Sequence, residues 1–220
     1  MIPKIIYMCY KNLQDLEMYS VNWKKLNPEY EIKLYDNDLC EKFLLEEFSQ
    51  LYCDIFKYIK DGPIKADFWR VCVLYKYGGV YVDADVEPLV PIKDYINEDT
   101  DFVSCISSNA GTNNWSPLNP QFIMAKSGDI LLQSCIDEYV KYYLNNKPYT
   151  YWSWSICKIF DFKGLDTWVD GDYILDDKKF QFVKEKADFN IHNFHCVYKN
   201  IRVFNCRYAK YDYNLHTFVA

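Results

Sequence analysis

The sequence predicts an α/β fold, a mostly parallel sheet flanked by helices. Three observations carry this: a short apolar opening segment, strand-like and helix-like stretches that alternate over the first two thirds, and an acidic pair closing an apolar strand. Ile2–Cys9 is apolar enough to be a buried opening strand. Leu13–Leu26 has helical spacing and stops at the turn signal Asn27-Pro28. Tyr30–Tyr35 alternates as a second strand. Asp36 to Asp38 supply N-cap candidates for a helix reaching about Phe48, and a further helix runs to Ile59.

Asp61-Gly62-Pro63 then breaks the chain ahead of a helix over Ile64–Tyr77. Further on, Phe102–Ile106 and Gln121–Ala125 read as strands, Ile130–Leu144 as an amphipathic helix, and Tyr149–Trp154 as an aromatic stretch. From Trp168 the pattern is one of short strands and turns. No repeat, linker or low-complexity segment divides the 220 residues, so one domain over 1–220 is expected.

Composition narrows the function. Half the residues are hydrophobic and a quarter charged, an ordinary globular balance. The net charge of −6, without a basic run, argues against a nucleic-acid polymer as partner. Aromatics reach 19%, which a biased gene composition explains as well as sugar or base binding does. The nine cysteines stand singly, with no C-x-x-C, and read as buried thiols of a reducing compartment. No signal-type segment and no apolar run near ~18 residues is present, so a cytoplasmic protein of bacterial or viral origin is expected. Oligomeric state is not readable.

On a helical wheel Ile64, Phe68, Val71, Cys72 and Tyr75 form one apolar face, and only Lys65 and Lys76 mark a solvent stripe. Asp67 and Arg70 therefore lie where charge is costly unless paired with each other or with a ligand. Gly78-Gly79 ends the helix. Val80-Tyr-Val-Asp-Ala-Asp-Val-Glu-Pro88 follows, and on a strand Tyr81, Asp83 and Asp85 share one face. Two convergent carboxylates repel unless a cation joins them or one takes a proton. Mg²⁺ or Mn²⁺ suits such a pair, and a diphosphate would complete its shell.

Lys65-Ala-Asp-Phe-Trp-Arg-Val-Cys-Val-Leu-Tyr-Lys-Tyr-Gly-Gly-Val-Tyr-Val-Asp-Ala-Asp-Val-Glu-Pro88 resembles the signature of glycosyltransferase family 32, the DXD sugar-binding group. Ile2-Pro-Lys-Ile-Ile6, Trp23 and Asn27-Pro-Glu-Tyr30 are similar to the family's opening, and the likeness thins after residue 91. It implies a GT-A fold, a UDP- or GDP-sugar donor, Mn²⁺ or Mg²⁺, a glycan or other hydroxyl acceptor, and retention of anomeric configuration. Carried over, Asp67 and Arg70 bind donor hydroxyls and ribose, Tyr81 lines the nucleotide pocket, Asp83 meets ribose, sugar or metal-bound water, and Asp85 ligates the metal. Ile191-His-Asn-Phe-His195 is similar to a late histidine motif, so His192 or His195 would complete the metal or diphosphate site. Tyr7 stands where the family usually has histidine, Tyr10 where it has tryptophan, and no Thr-Gly-Pro turn is found near Trp152; nucleobase and acceptor are left open. Asn119 and Gln121, flanking the polar loop Ser108–Pro120, are expected to face the sugar.

Two rivals remain at this stage. In an Asp-x-Asp phosphotransferase the residue two past the second Asp is Thr or Val, and here it is Glu87. A non-catalytic sugar-nucleotide or glycan-binding module is the other.

Overall fold

The computed structural model describes residues 1–108, 117–159, 169–188, 193–206, 211–212 and 217–218. Strand β1 (Ile5–Cys9) leads to α1 (Leu13–Leu26), where Asn12 caps the first turn by accepting from the Asp15 amide at 2.8 Å. Strand β2 (Glu31–Tyr35) pairs parallel to β1. Asp36 caps α2 (Asn37–Glu47) through the Leu39 amide, and α3 (Gln50–Tyr58) follows. Each of these lies within a residue or two of its expected bounds, except that β1 starts at Ile5 rather than Ile2.

Helix α4 (Gly62–Tyr77) is the buried helix that the wheel implied, with Asp67 and Arg70 inside among Phe68, Trp69, Val71, Cys72 and Leu74. Gly78 and Gly79 turn it straight into β3 (Gly79–Val82), with φ of 67° and 114°. A Cβ at Gly78 would come 2.7 Å from the Ser127 nitrogen, and one at Gly79 would come 2.8 Å from the Ile5 carbonyl. The junction needs glycine for both its backbone angles and its closeness to neighbours.

Strand β4 (Val86–Pro88) is separate from β3. A short 3₁₀ turn leads to β5 (Phe102–Ile106), then β6 (Leu118–Ala125), α5 (Ile130–Leu144), and the short helices α6 (Tyr151–Trp154) and α7 (Ile156–Ile159). Strands β7 (Gly171–Leu175), β8 (Lys178–Asp188), β9 (Asn193–Tyr198) and β10 (Ile201–Cys206) follow, with a small pair β11 (Tyr211–Asp212) and β12 (Thr217–Phe218).

The α/β class holds, but the sheet is mixed. Its path is β2-β1-β3-β6-β5-β8-β9-β10-β4, with β7 beside β8. Ladders β1–β2, β1–β3 and β5–β8 are parallel, and the other described ladders of this sheet are antiparallel. The expectation of a mostly parallel sheet fails, although α5, α6 and α7 still lie between β6 and β7. Past β4, connections are mostly of hairpin type, which pair antiparallel.

The path also requires curvature. Strands β3 and β4 lie six steps apart along it, about 29 Å in a flat sheet at ~4.8 Å per step. Yet Val82 and Val86 are separated by four Cα steps, which reach ~14 Å at most. The sheet therefore curls until β4 returns to the end of β3. Trp23 of α1, fully buried, secures that return by donating to the Val86 carbonyl at 3.0 Å.

Alternation along the strands sorts the core into two layers. Ile6, Met8, Val80 and Val82 pack with Trp23, Phe122 and Phe204 on the α1 side. Tyr7 and Tyr81 pack with Phe68, Trp69, Tyr139 and Trp154 on the α4 and α5 side. Among the described residues no helix is long and apolar enough to cross a membrane.

Candidate active site

Asp83, Ala84 and Asp85 form the turn that carries the chain from β3 to β4, closed by the Val86 amide donating to the Asp83 carbonyl at 3.1 Å. This corrects the expectation of one strand through Asp85. The residue types alternate smoothly across the segment, but β4 takes its hydrogen bonds from β10, opposite Phe204 to Cys206. Asp83 and Asp85 are both half-buried.

Beneath Asp83 lies a buried charge network. Arg70 Nη1 is 3.1 Å from Asp83 Oδ1, and Nη2 is 3.1 Å from Asp67 Oδ1. The guanidinium also donates to the carbonyls of Ala66 (3.1 Å) and Pro120 (2.6 Å) and sits 4.3 Å from the centre of the Tyr81 ring. The Tyr81 hydroxyl donates to Asp83 Oδ1 at 2.8 Å and touches the Cys9 sulfur at 3.5 Å. Asp67 Oδ2 accepts from the Ile156 amide at 3.0 Å. The Asp67–Arg70 ion pair is thus real, and it extends to the acidic turn.

Electrostatics separate the members. Burial works against charge on Arg70, but Asp83, Tyr81 and Asp67 outweigh it and hold the guanidinium firmly charged. Burial pushes the Asp67 carboxyl up to about 6 despite Arg70. Asp85 rises to about 7, first through burial and then through the facing charge of Asp83. Arg70 offsets one of these carboxylates, and the rest are in surplus.

A further carboxylate adds to the surplus. Glu185 of β8, 3% exposed, accepts from the Ser108 amide (3.0 Å) and hydroxyl (2.9 Å), from Asn119 (3.0 Å) and from Gln121 (3.1 Å). It is also among the charges that push Asp85 up. Asn119 and Gln121 thus turn their amides toward Glu185, and Gln121 reaches Cys105 and Cys196 as well.

The structure therefore gathers Asp67, Arg70, Tyr81, Asp83 and Asp85, with Asn119 and Gln121 one layer behind. Tyr81 is fully buried and supports the site from below, rather than lining an open pocket. Tyr7 lies deeper, 1% exposed between Tyr35 and Trp69, and its hydroxyl has no hydrogen-bond partner among the described residues. His195 sits half-buried on β9, opposite Asn205 and Lys186. His192 falls outside the described residues. Glu185, Cys9, the Pro120 carbonyl and the Ile156 amide were not singled out from the sequence. Their links to the site span 50 to 89 residues, that of Cys9 to Tyr81 being 72.

The residues present fit a hard dication. Asp85 has burial and a like charge against it and few donors in its favour, the condition a divalent cation relieves. Among the described residues no third His, Cys, Asp or Glu joins the pair to make a complete protein cage.

Residues 14–103 match the family model described as glycosyltransferase sugar-binding region containing DXD motif. An uncharacterised glycosyltransferase of Acanthamoeba polyphaga mimivirus is 30% identical over 118 residues, 51% of this chain and 47% of the relative. The initiation-specific alpha-1,6-mannosyltransferase of Candida albicans is 28% identical over 81 residues, 36% of this chain and 21% of the relative. A mannosyl phosphorylinositol ceramide synthase of Saccharomyces cerevisiae is 34% identical over 88 residues, 39% of this chain and 23% of the relative. The chain spans less than half the length of each. Among solved structures, the PaToxG glycosyltransferase aligns with a TM-score of 0.48 at 17% identity, over 72% of this chain and 64% of that one.

Proposed function

Because the chain carries, over residues 14–103, the DXD-containing sugar-binding region of a glycosyltransferase family, we propose that it is a metal-dependent retaining transferase. It moves a hexosyl group from a nucleoside-diphosphate sugar to a hydroxyl of a glycan or related acceptor, within a single GT-A domain. The observation that carries this reading is the Asp83–Asp85 turn, set beside a buried Arg70 with its carboxylates in surplus.

In this reading Asp85, with Asp83, would hold Mn²⁺ or Mg²⁺. When bound, the cation neutralises charge on the departing diphosphate. Arg70 keeps a permanent positive charge behind Asp83 and, with Tyr81, orients it through Oδ1. This leaves the other oxygen of Asp83 to the metal or the donor. Asp67, 6% exposed, acts mainly by fixing Arg70 and meets donor hydroxyls only at its open edge. Asn119 and Gln121 shape the wall through Glu185, and His192 and His195 remain candidates for the diphosphate side. Retention and the nucleotide donor are proposed on the family's pattern. Two relatives are mannosyl-transferring by name, so GDP-mannose belongs in the first donor panel.

The test is thermal unfolding with UDP-glucose, UDP-galactose and GDP-mannose, with and without Mn²⁺, beside Asp85→Ala. A ligand at a hundred times its Kd adds about 2.7 kcal/mol, a shift of several degrees. One nucleotide class should stabilise the protein only with metal and only when Asp85 is present. A response indifferent to both metal and Asp85, or none at all, would sink the reading. Slow release of free sugar without acceptor separates an enzyme from a binding module.

A further inference from the structure

Of the described tryptophans, Trp23, Trp69 and Trp154 are fully buried, whereas Trp152 is 48% exposed. Exposure alone says little, since single apolar residues are common at protein surfaces. What matters is where this one stands. Helix α4 runs back along β3 from the Gly78–Gly79 junction, and its Arg70 meets Asp83 just past the strand. At ~1.5 Å per residue Asp67 stands ~15 Å up the helix from Tyr77. At ~3.3 Å per residue Asp83 stands ~13 Å up the chain from Gly79. The two are therefore level, and Asp61, at the start of the helix, lies a further ~9 Å out. The first turns of α4 reach past the acidic turn and form a rim on its helical side.

Both ends of the Trp152 segment are fastened to that rim. The Tyr149 hydroxyl accepts from the Asp61 amide at 3.2 Å and donates to the Asp61 carboxylate. The Ile156 amide donates to Asp67 at 3.0 Å. Between these points the Ser153 amide donates to Thr150 Oγ1 at 3.2 Å, and buried Trp154 packs on Tyr58, Tyr139 and Tyr149. The Tyr151 ring stands at 71° to that of Trp152, with centroids 4.8 Å apart. Four Cα steps separate Trp152 from Ile156, so its Cα lies within ~14 Å of the residue that holds Asp67.

We propose that Trp152 is the platform on which a pyranose ring of the acceptor stacks, on the α4 side of the candidate active site. This rests on the transferase reading, because it names the acceptor side of the same reaction. The C–H bonds on the less polar face of a pyranose carry partial positive charge, and the indole face is negative, so the two attract while water is expelled. The sugar hydroxyls point outward from the ring and stay solvated. The donor diphosphate needs charge, which the acidic turn and its cation provide; a neutral acceptor needs area that strands no charge. An indole has only two rotatable side-chain bonds, and here its segment is fastened at both ends, so little freedom is lost when a sugar covers it. A platform of this kind favours a glycan acceptor over a bare lipid or protein hydroxyl.

Two measurements on the full chain test this. In proton–nitrogen correlation spectra the Trp152 indole N–H signal, identified by its absence from Trp152→Phe, should shift and saturate as maltose, lactose or mannobiose is added. Transfer is then assayed with the sugar nucleotide that stabilises the protein with Mn²⁺ and with the disaccharide that binds. Trp152→Ala should raise the acceptor KM roughly tenfold and the donor KM by less than about twofold. Trp152→Phe should recover part of the acceptor loss. A Trp152 signal that none of the three disaccharides moves overturns the proposal, as does an unchanged acceptor KM in Trp152→Ala. An equal rise in both KM values also overturns it, because Trp152 would then act on the donor or on the fold. If no sugar nucleotide binds the wild type, the transferase reading falls, and the spectra still decide whether Trp152 holds a sugar.

Discussion

Glu185 and Asp85 are carboxylates in adjoining parts of the same curled sheet, yet their surroundings are opposite. Glu185 lies on a central strand and receives four donors from Ser108, Asn119 and Gln121. Asp85 lies on a turn, faces Asp83, and is pushed to about 7 by burial and that like charge. A carboxylate saturated by donors holds its neighbours in place. One left short of donors beside another carboxylate is available to a cation. The difference separates the frame of the site from its ligand-binding edge, although both groups bear the same charge.

The sharpest way to break this comparison is to remove the cation they share a neighbourhood with. Arg70→Leu leaves Asp67 and Asp83 without their buried partner, and stability should fall by about 3–5 kcal/mol by chemical denaturation. A loss under about 1 kcal/mol would mean that the carboxylates simply take protons and that the network is not structural. Glu185→Ala comes next. Its loss removes the acceptor that Ser108, Asn119 and Gln121 share, so stability should fall by about 2–3 kcal/mol even without metal. Asp85→Ala should not destabilise the metal-free protein at all. Equal losses for the two would erase the distinction between frame and edge.

Much of the frame was legible because it is local. The buried helix could be read from an apolar surface broken only by Lys65 and Lys76, and its end from two glycines that the junction to β3 requires. Asp67, Arg70, Tyr81 and Asp83 followed, since they lie within one helix and the strand it feeds. The turn at Asp83–Asp85 was not legible. Val80 to Pro88 alternates throughout, and the break is imposed by β10 some 120 residues later. Glu185 was hidden for the same reason. Between Lys184 and Lys186 it reads as one charge of a solvated strand, and its donors lie 64 to 77 residues away. Periodicity reports which side chains turn inward along one element, not which distant donors will meet them.

The smallest effect is the one that tests the Asp85 environment most directly. In the unfolded chain Asp85 loses its proton near pH 3.8, whereas in the metal-free fold it keeps it to about 7. Between these values the folded state binds more protons, so raising the pH favours unfolding. The contribution is fully present below pH 4 and gone above 7. Asp67, raised to about 6, adds a term of the same sign that ends sooner. Carboxylates paired with lysine, such as the exposed Asp99 and the half-buried Asp101, work the other way at lower pH, so the informative quantity is a difference. From pH 4 to 7.5 without metal, the stability of the wild type should decline relative to Asp85→Asn by about 1–2 kcal/mol, allowing for partial exposure. Mn²⁺ should reverse the decline, because binding requires the deprotonated carboxylate, and its stabilisation should grow as pH passes 7. Parallel pH curves for wild type and variant would place Asp85 in ordinary solvent and remove the reason for a cation at this turn.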